Sequence, residues 1–91
     1  MLLALDIGNS DITVGLWKDN EWKHVWRISS RPDLPELYYG VKIRDYFFES
    51  GNAVDQVRII VLSSVVPAMN DKMKSVSRML FEKEPIVLGP K

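Results

Sequence analysis

Apolar and polar positions divide the chain into short strands first and helices later. Residues 2–7, LLALDI, are apolar at both parities until Asp6, which predicts a strand near the centre of a sheet. After Gly8-Asn9-Ser10, Ile12, Val14 and Leu16 alternate with Thr13, Gly15 and Trp17, the period of a strand at least half buried. Asp19-Asn20 marks another turn, and residues 21–28 predict a third strand. On it Trp22, His24, Trp26 and Ile28 share one face, and Glu21, Lys23 and Arg27 the other. These three strands read as an antiparallel meander.

Helical spacing begins after SSRPDLPEL. Asp33 is the expected N-cap, with Pro35 in the first turn and Glu36 three residues after Asp33. Leu34, Leu37, Tyr38, Val41 and Phe48 form the expected apolar stripe, and Gly51 the stop. VRIIVLSSVV, rich in β-branched residues, reads as a buried parallel strand. Pro67 opens a second helix at a position where its missing N–H costs nothing, with Met69, Met73, Val76 and Leu80 as its stripe. PIVLGP, residues 85–90, ends the series as a short strand. The expected order is βββαβαβ, with the fourth strand parallel to the first through a right-handed crossover. An α/β domain with a three-stranded antiparallel meander followed by parallel strands describes the ribonuclease-H-like half-domain of actin-type ATPases and sugar kinases.

Composition narrows the function classes. The 91 residues suffice for one small domain. Twelve basic residues balance twelve acidic ones without forming a run, which argues against a nucleic-acid partner. There is no cysteine, so thiol catalysis and Cys-ligated zinc are excluded. The first strand follows Met1 directly, is too short to span a membrane and lacks a basic leader, so the expected setting is cytoplasmic, with no membrane partner.

Asp6 is the residue that the folding pattern alone does not require. Ligands of open α/β sheets lie beyond the carboxyl ends of parallel strands, where Asp6 falls. Gly8 allows close backbone approach, and the amides of Gly8, Asn9 and Ser10 can face a phosphate. A carboxylate beside them suits Mg²⁺, held through water and bridging to the same phosphates. The competing reading is a type I′-like hairpin in which Gly and Asn supply positive φ and Asp6 caps its own turn. Ser63 and Ser64, at the end of the fourth strand, are candidate substrate-cleft residues or simply caps before Pro67. His24 reads as a packed or rim residue, and the tryptophans as core or edge packing. Arg27 and Ser30 suit a salt bridge or turn contact. A ribonuclease-H-type nuclease needs a carboxylate at the end of the fourth strand, where LSSVVP has none.

Four segments, DIGNS at 6–10, WRISS at 26–30, VLSSVVP at 61–67 and PIVLGP at 85–90, together resemble type III pantothenate kinase, also called the Bvg accessory factor family. The resemblance runs along essentially the whole chain. It implies membership of the acetate and sugar kinase/Hsp70/actin superfamily and ATP-dependent phosphorylation of pantothenate on the way to coenzyme A. Mg²⁺ and a monovalent cation, K⁺ or NH₄⁺, would assist, and the full-length enzyme would be a homodimer. By the same resemblance, Asp6 is the acid of the first phosphate motif and binds the metal, while Gly8, Asn9 and Ser10 bind the nucleotide phosphates. The family usually has Thr at Ser10, and Asn or His at Asp11, which here adds a second negative charge. The resemblance places no catalytic residue in this chain: the general base, in a Gly-x-Asp-Arg motif, is expected beyond Lys91 together with the pantothenate loop and a second domain. Residues 1–91 would thus be the N-terminal ribonuclease-H-like domain, inactive by itself. The alternative is a non-catalytic, truncated or regulatory family member.

Overall fold

The computed structural model describes residues 1–88. Its elements run β1 (Leu2–Ile7), β2 (Asp11–Lys18), β3 (Glu21–Ser29), α1 (Glu36–Ser50), β4 (Ile59–Ser64), α2 (Pro67–Phe81) and β5 (Ile86–Val87), with a single 3₁₀ turn at Val54–Gln56 before β4. The sheet order is β3-β2-β1-β4-β5, with β1 antiparallel to β2 and parallel to β4. The order βββαβαβ and the meander are as expected. The Gly89-Pro90 end of the expected last strand lies outside the described residues.

One face of the sheet makes the core. Leu3, Leu5 and Ile7 of β1, Ile12, Val14 and Leu16 of β2, and Ile60 and Leu62 of β4 are almost wholly buried beneath both helices. Leu2, Ala4, Val25, Ile59 and Val61 have the opposite parity, and no described element covers that face. β1 is central as expected, yet it and β4 are sealed on one face only; Ile59 stays 46% exposed.

Three local expectations change. The expected α1 stripe faces inward only in part: Leu34 and Tyr38 pack against the core, but Leu37 and Phe48 are 59% and 76% exposed, while Tyr39, Ile43 and Phe47 are buried. Apolar residues lie on both sides of this helix, and close packing chooses between them. Gly40 lies against Met79 of α2, where a Cβ would come within 2.7 Å of Met79 Cε. Asp33 is not the N-cap; Pro35 holds that position without a side-chain cap, and Asp33 instead pairs with Arg31 at 3.3 Å. Trp22 leaves the face it was expected to share with His24, because a register irregularity at Leu16/Trp17 pairs it with Trp17. A bulge of this kind reverses side-chain parity. Trp22 then meets Trp17 edge to face at 5.1 Å on the uncovered side. His24, Trp26 and Ile28 keep the core side. His24 lies flat on Trp26, which stacks on Tyr46 of α1 at 5.0 Å.

Gly51 ends α1 with φ 75°, and Pro67 opens α2 as expected. Met69, Met73 and Val76 are fully buried, and Phe81 completes that stripe with Leu80 only partly covered.

Candidate functional site

The carboxyl ends of the parallel strands β1 and β4 meet at one corner of the sheet. Asp6 pairs in register with Thr13 on β2 and Ser63 on β4, and Thr13 with Arg27 on β3. Cross-strand partners project from the same face, so Arg27, Thr13, Asp6 and Ser63 form one row on the uncovered side. The Asp6 carboxylate is exposed and belongs to none of the ion pairs among the described residues. With Ala4, Thr13, Gly15, Trp22 and Val25 it lines a cavity of about 250 Å³.

The adjoining turn is held by its main chain. Gly8 N–H donates to the Asp11 carbonyl at 2.8 Å, and the Ser10 carbonyl accepts the Ser30 N–H at 2.8 Å. Gly8, Asn9 and Ser10 all have negative φ; the left-handed pair is Asp19 and Asn20, at 54° and 64°, in the β2–β3 turn. Positive φ therefore does not explain this Gly-Asn. Proximity does: a Cβ on Gly8 would stand 3.2 Å from the Asp11 carbonyl oxygen, a backbone atom with little freedom to yield. Asn9, Ser10 and Asp11 are exposed. Asp11 shares the parity of Thr13, which puts its carboxylate on the Asp6 side.

The serines at the end of β4 separate. Ser63 lies in the Asp6 row, whereas Ser64 pairs with Ile7 on the opposite side. Ser64 Oγ accepts the Val66 N–H at 3.0 Å and donates to the Val66 carbonyl at 3.1 Å, closing the turn into α2. α2 starts at this corner with no acid in its first turn, so the positive end of its dipole lies there.

Among the described residues no group of three or more His, Cys, Asp or Glu side chains could hold a metal. Mg²⁺ needs no such group, being commonly bound by one or two carboxylates together with water and substrate phosphates. Asp6 offers one exposed carboxylate at this corner. Thr13 escaped the sequence reading, although a hairpin centred between Asn9 and Ser10 pairs position 6 with position 13 and so foretells it.

The mixed sheet, its strand order and the acid at the end of its first strand match the ribonuclease-H-like α/β fold of the actin-like ATPase class. Within that class the family model for type III pantothenate kinase matches residues 2–91, and the chain belongs to this family of kinases. Over 90 residues, 99% of the chain, it is 36% identical to the type III pantothenate kinase of Brevibacillus brevis and 33% identical to that of Geotalea uraniireducens. It is likewise 36% identical over 99% of its length to the protein of that name from Syntrophobacter fumaroxidans. The chain spans about a third of the length of these relatives, 35% in each case.

Proposed function

We propose that this chain is the nucleotide-phosphate-binding portion of a kinase that transfers the γ-phosphate of ATP to pantothenate, a step towards coenzyme A. The observation that carries this reading is the exposed Asp6 carboxylate at the carboxyl end of β1, in no ion pair among the described residues and beside the Gly8–Ser10 turn, in a member of the type III pantothenate kinase family.

Phosphoryl transfer depends on positioning and charge stabilisation more than on covalent chemistry by the protein. Asp6 would hold Mg²⁺, which when bound neutralises charge on the phosphates. The small size of Gly8 lets the main chain come close to them, and Asn9 and Ser10 offer donors at the same corner. The N-terminus of α2 adds a favourable potential for anions. Ser63, in the Asp6 row, is the candidate for a substrate contact; Ser64 serves the turn. Acceptor binding and the general base belong to the remainder of a full-length protein. The isolated 91-residue chain is therefore expected to show no turnover.

The test is a coupled assay of the full-length protein with ATP, Mg²⁺ and pantothenate. Asp6→Asn is expected to lower kcat/KM by about 10²-fold, the scale of losing one charge-stabilising group. Its unfolding midpoint should stay close to wild type, because the carboxylate is exposed. Failure of the wild-type full-length protein to phosphorylate pantothenate would overturn the reading.

A further inference from the structure

The Gly8–Ser10 turn is tied to the rest of the molecule along two routes, and both lead to α2. On one side, Val65 N–H donates to the Ile7 carbonyl at 3.1 Å, and α2 begins two residues later at Pro67. On the other, the Ser30 N–H holds the Ser10 carbonyl, so the turn leans on the loop that joins β3 to α1. Ser30 is only 8% exposed, and its Oγ has no partner among the described residues, so its hold on the turn is made by the main chain.

That loop is anchored twice more. The fully buried Tyr39 of α1 accepts the Arg31 N–H through its hydroxyl at 2.9 Å and donates to the Arg31 carbonyl at 2.5 Å. Lys72 of α2 then reaches across to the same loop: its Nζ donates to the Leu34 carbonyl at 2.6 Å and to the Pro32 carbonyl. No carboxylate pairs with this ammonium among the described residues. A long, flexible cation held by two main-chain carbonyls forms strong charge-assisted bonds while losing rotamer freedom. The result is a closed circuit from the turn through Ser30, Arg31, Leu34 and Lys72 to α2, then back through Val65 to Ile7.

We propose that Lys72 is a positioning residue, which acts through the residue 30–34 loop to hold the Gly8–Ser10 turn in place. Only the kinetic part of this inference rests on the kinase reading. The hydrogen bonds of Lys72 run to the loop and not to the turn, so its effect passes through the loop.

The test uses the full-length protein and three variants. Lys72→Met keeps the aliphatic stem and removes the donors, Tyr39→Phe cuts the neighbouring anchor while keeping the ring, and Lys72→Arg restores a cation. Hydrogen exchange at the Gly8 and Ser30 amides is expected to quicken about fivefold to tenfold in Lys72→Met, the scale of one lost charge-assisted hydrogen bond. Leu5 and Ile60, in the central strands, report the overall loss of stability and should quicken no more than those two amides. Lys72→Arg should recover part of the protection, and Tyr39→Phe should loosen the same two amides. In turnover assays KM for Mg-ATP should rise by a similar factor, with kcat and the KM for pantothenate within about twofold of wild type.

Unchanged exchange at Gly8 and Ser30 in Lys72→Met, or a fall in kcat with KM for ATP unaltered, overturns the proposal. Should Lys72→Met fail to fold, the same amides in Lys72→Gln decide it. A wild-type protein that does not phosphorylate pantothenate would sink the kinase reading, and the exchange measurement would still decide this one.

Discussion

The two faces of the sheet use alternate residues of the same strands and do different work. On β1, Leu3, Leu5 and Ile7 are at most 1% exposed under the helices, while Leu2, Ala4 and Asp6 look out from a face that no described element covers. Desolvating an isolated carboxylate is costly, so an unpaired acid can be carried only where water or a ligand reaches it. The packed face supplies stability. The open face, at the carboxyl end of β1, is where a charge can be displayed on a rigid strand. Separating the two tasks by parity lets one six-residue strand serve both.

The largest test of this division falls on α1, the layer over the packed face. Phe47→Ala removes a ring that is 1% exposed and packed on Phe81 at 5.3 Å, and is expected to cost about 3–5 kcal/mol in urea unfolding. Phe48→Ala, next in sequence and 76% exposed, should change stability by no more than about 0.5 kcal/mol. Equal losses would mean that the buried side of α1 is wrongly assigned. Within the sheet, Leu5→Ala should cost about 2–5 kcal/mol. Val25→Ala, from the open face where Val25 is 58% exposed, should fall within about 0.5 kcal/mol. A large loss at Val25 would break the contrast directly.

The same residues show what a sequence reader can and cannot see. The apolar run of β1, the period-two alternation of β2 and the β-branched run of β4 give the strands, their order along the chain and the place of Asp6, because each depends on neighbours close in sequence. The buried side of α1 does not, because apolar residues stand at helical spacing on both sides. Tertiary contacts chose Tyr39, Ile43 and Phe47, with Gly40 against Met79 and the Tyr39 hydroxyl on Arg31 as the clues. Trp22 was misplaced for a related reason: one bulge reverses parity, and alternation counts carry no sign of it. At the candidate site, Asp6 and Gly8 stand out in the sequence, and the hairpin register reveals Thr13. Lys72 does not, since its bonds run to carbonyls 38 and 40 residues away.

A smaller effect is expected where the helical layer hands the chain back to the sheet. Glu82 closes α2 in the left-handed region at φ 55°, its N–H donating to the Arg78 carbonyl at 3.0 Å. A side chain in that conformation is strained by about 1 kcal/mol relative to glycine. Glu82→Gly should therefore stabilise the chain by no more than about 0.5 kcal/mol, measured by urea unfolding, after the added freedom of the unfolded glycine is set against the relief. A destabilised variant would show that Glu82 makes contacts that outweigh its backbone strain.

The smallest effect belongs to the exposed charge pair beside that cap. Arg78 of α2 is bonded to Glu84 on the way to β5, and the hydrogen bond from Arg78 holds the Glu84 carboxyl below its ordinary value of 4.5. A carboxylate with a lowered folded-state pKa contributes stability above the ordinary value and loses it as pH falls through the lowered one. Both side chains are more than half exposed, so water and salt screen the pair. The difference in thermal midpoint between wild type and Glu84→Gln should accordingly be slight at pH 7, shrink as the solution is acidified below 4.5, and shrink again in molar salt. A difference that persists in acid would mean that Glu84 supports β5 through packing. The helical side of the sheet would then reach further along the chain than the buried residues alone define.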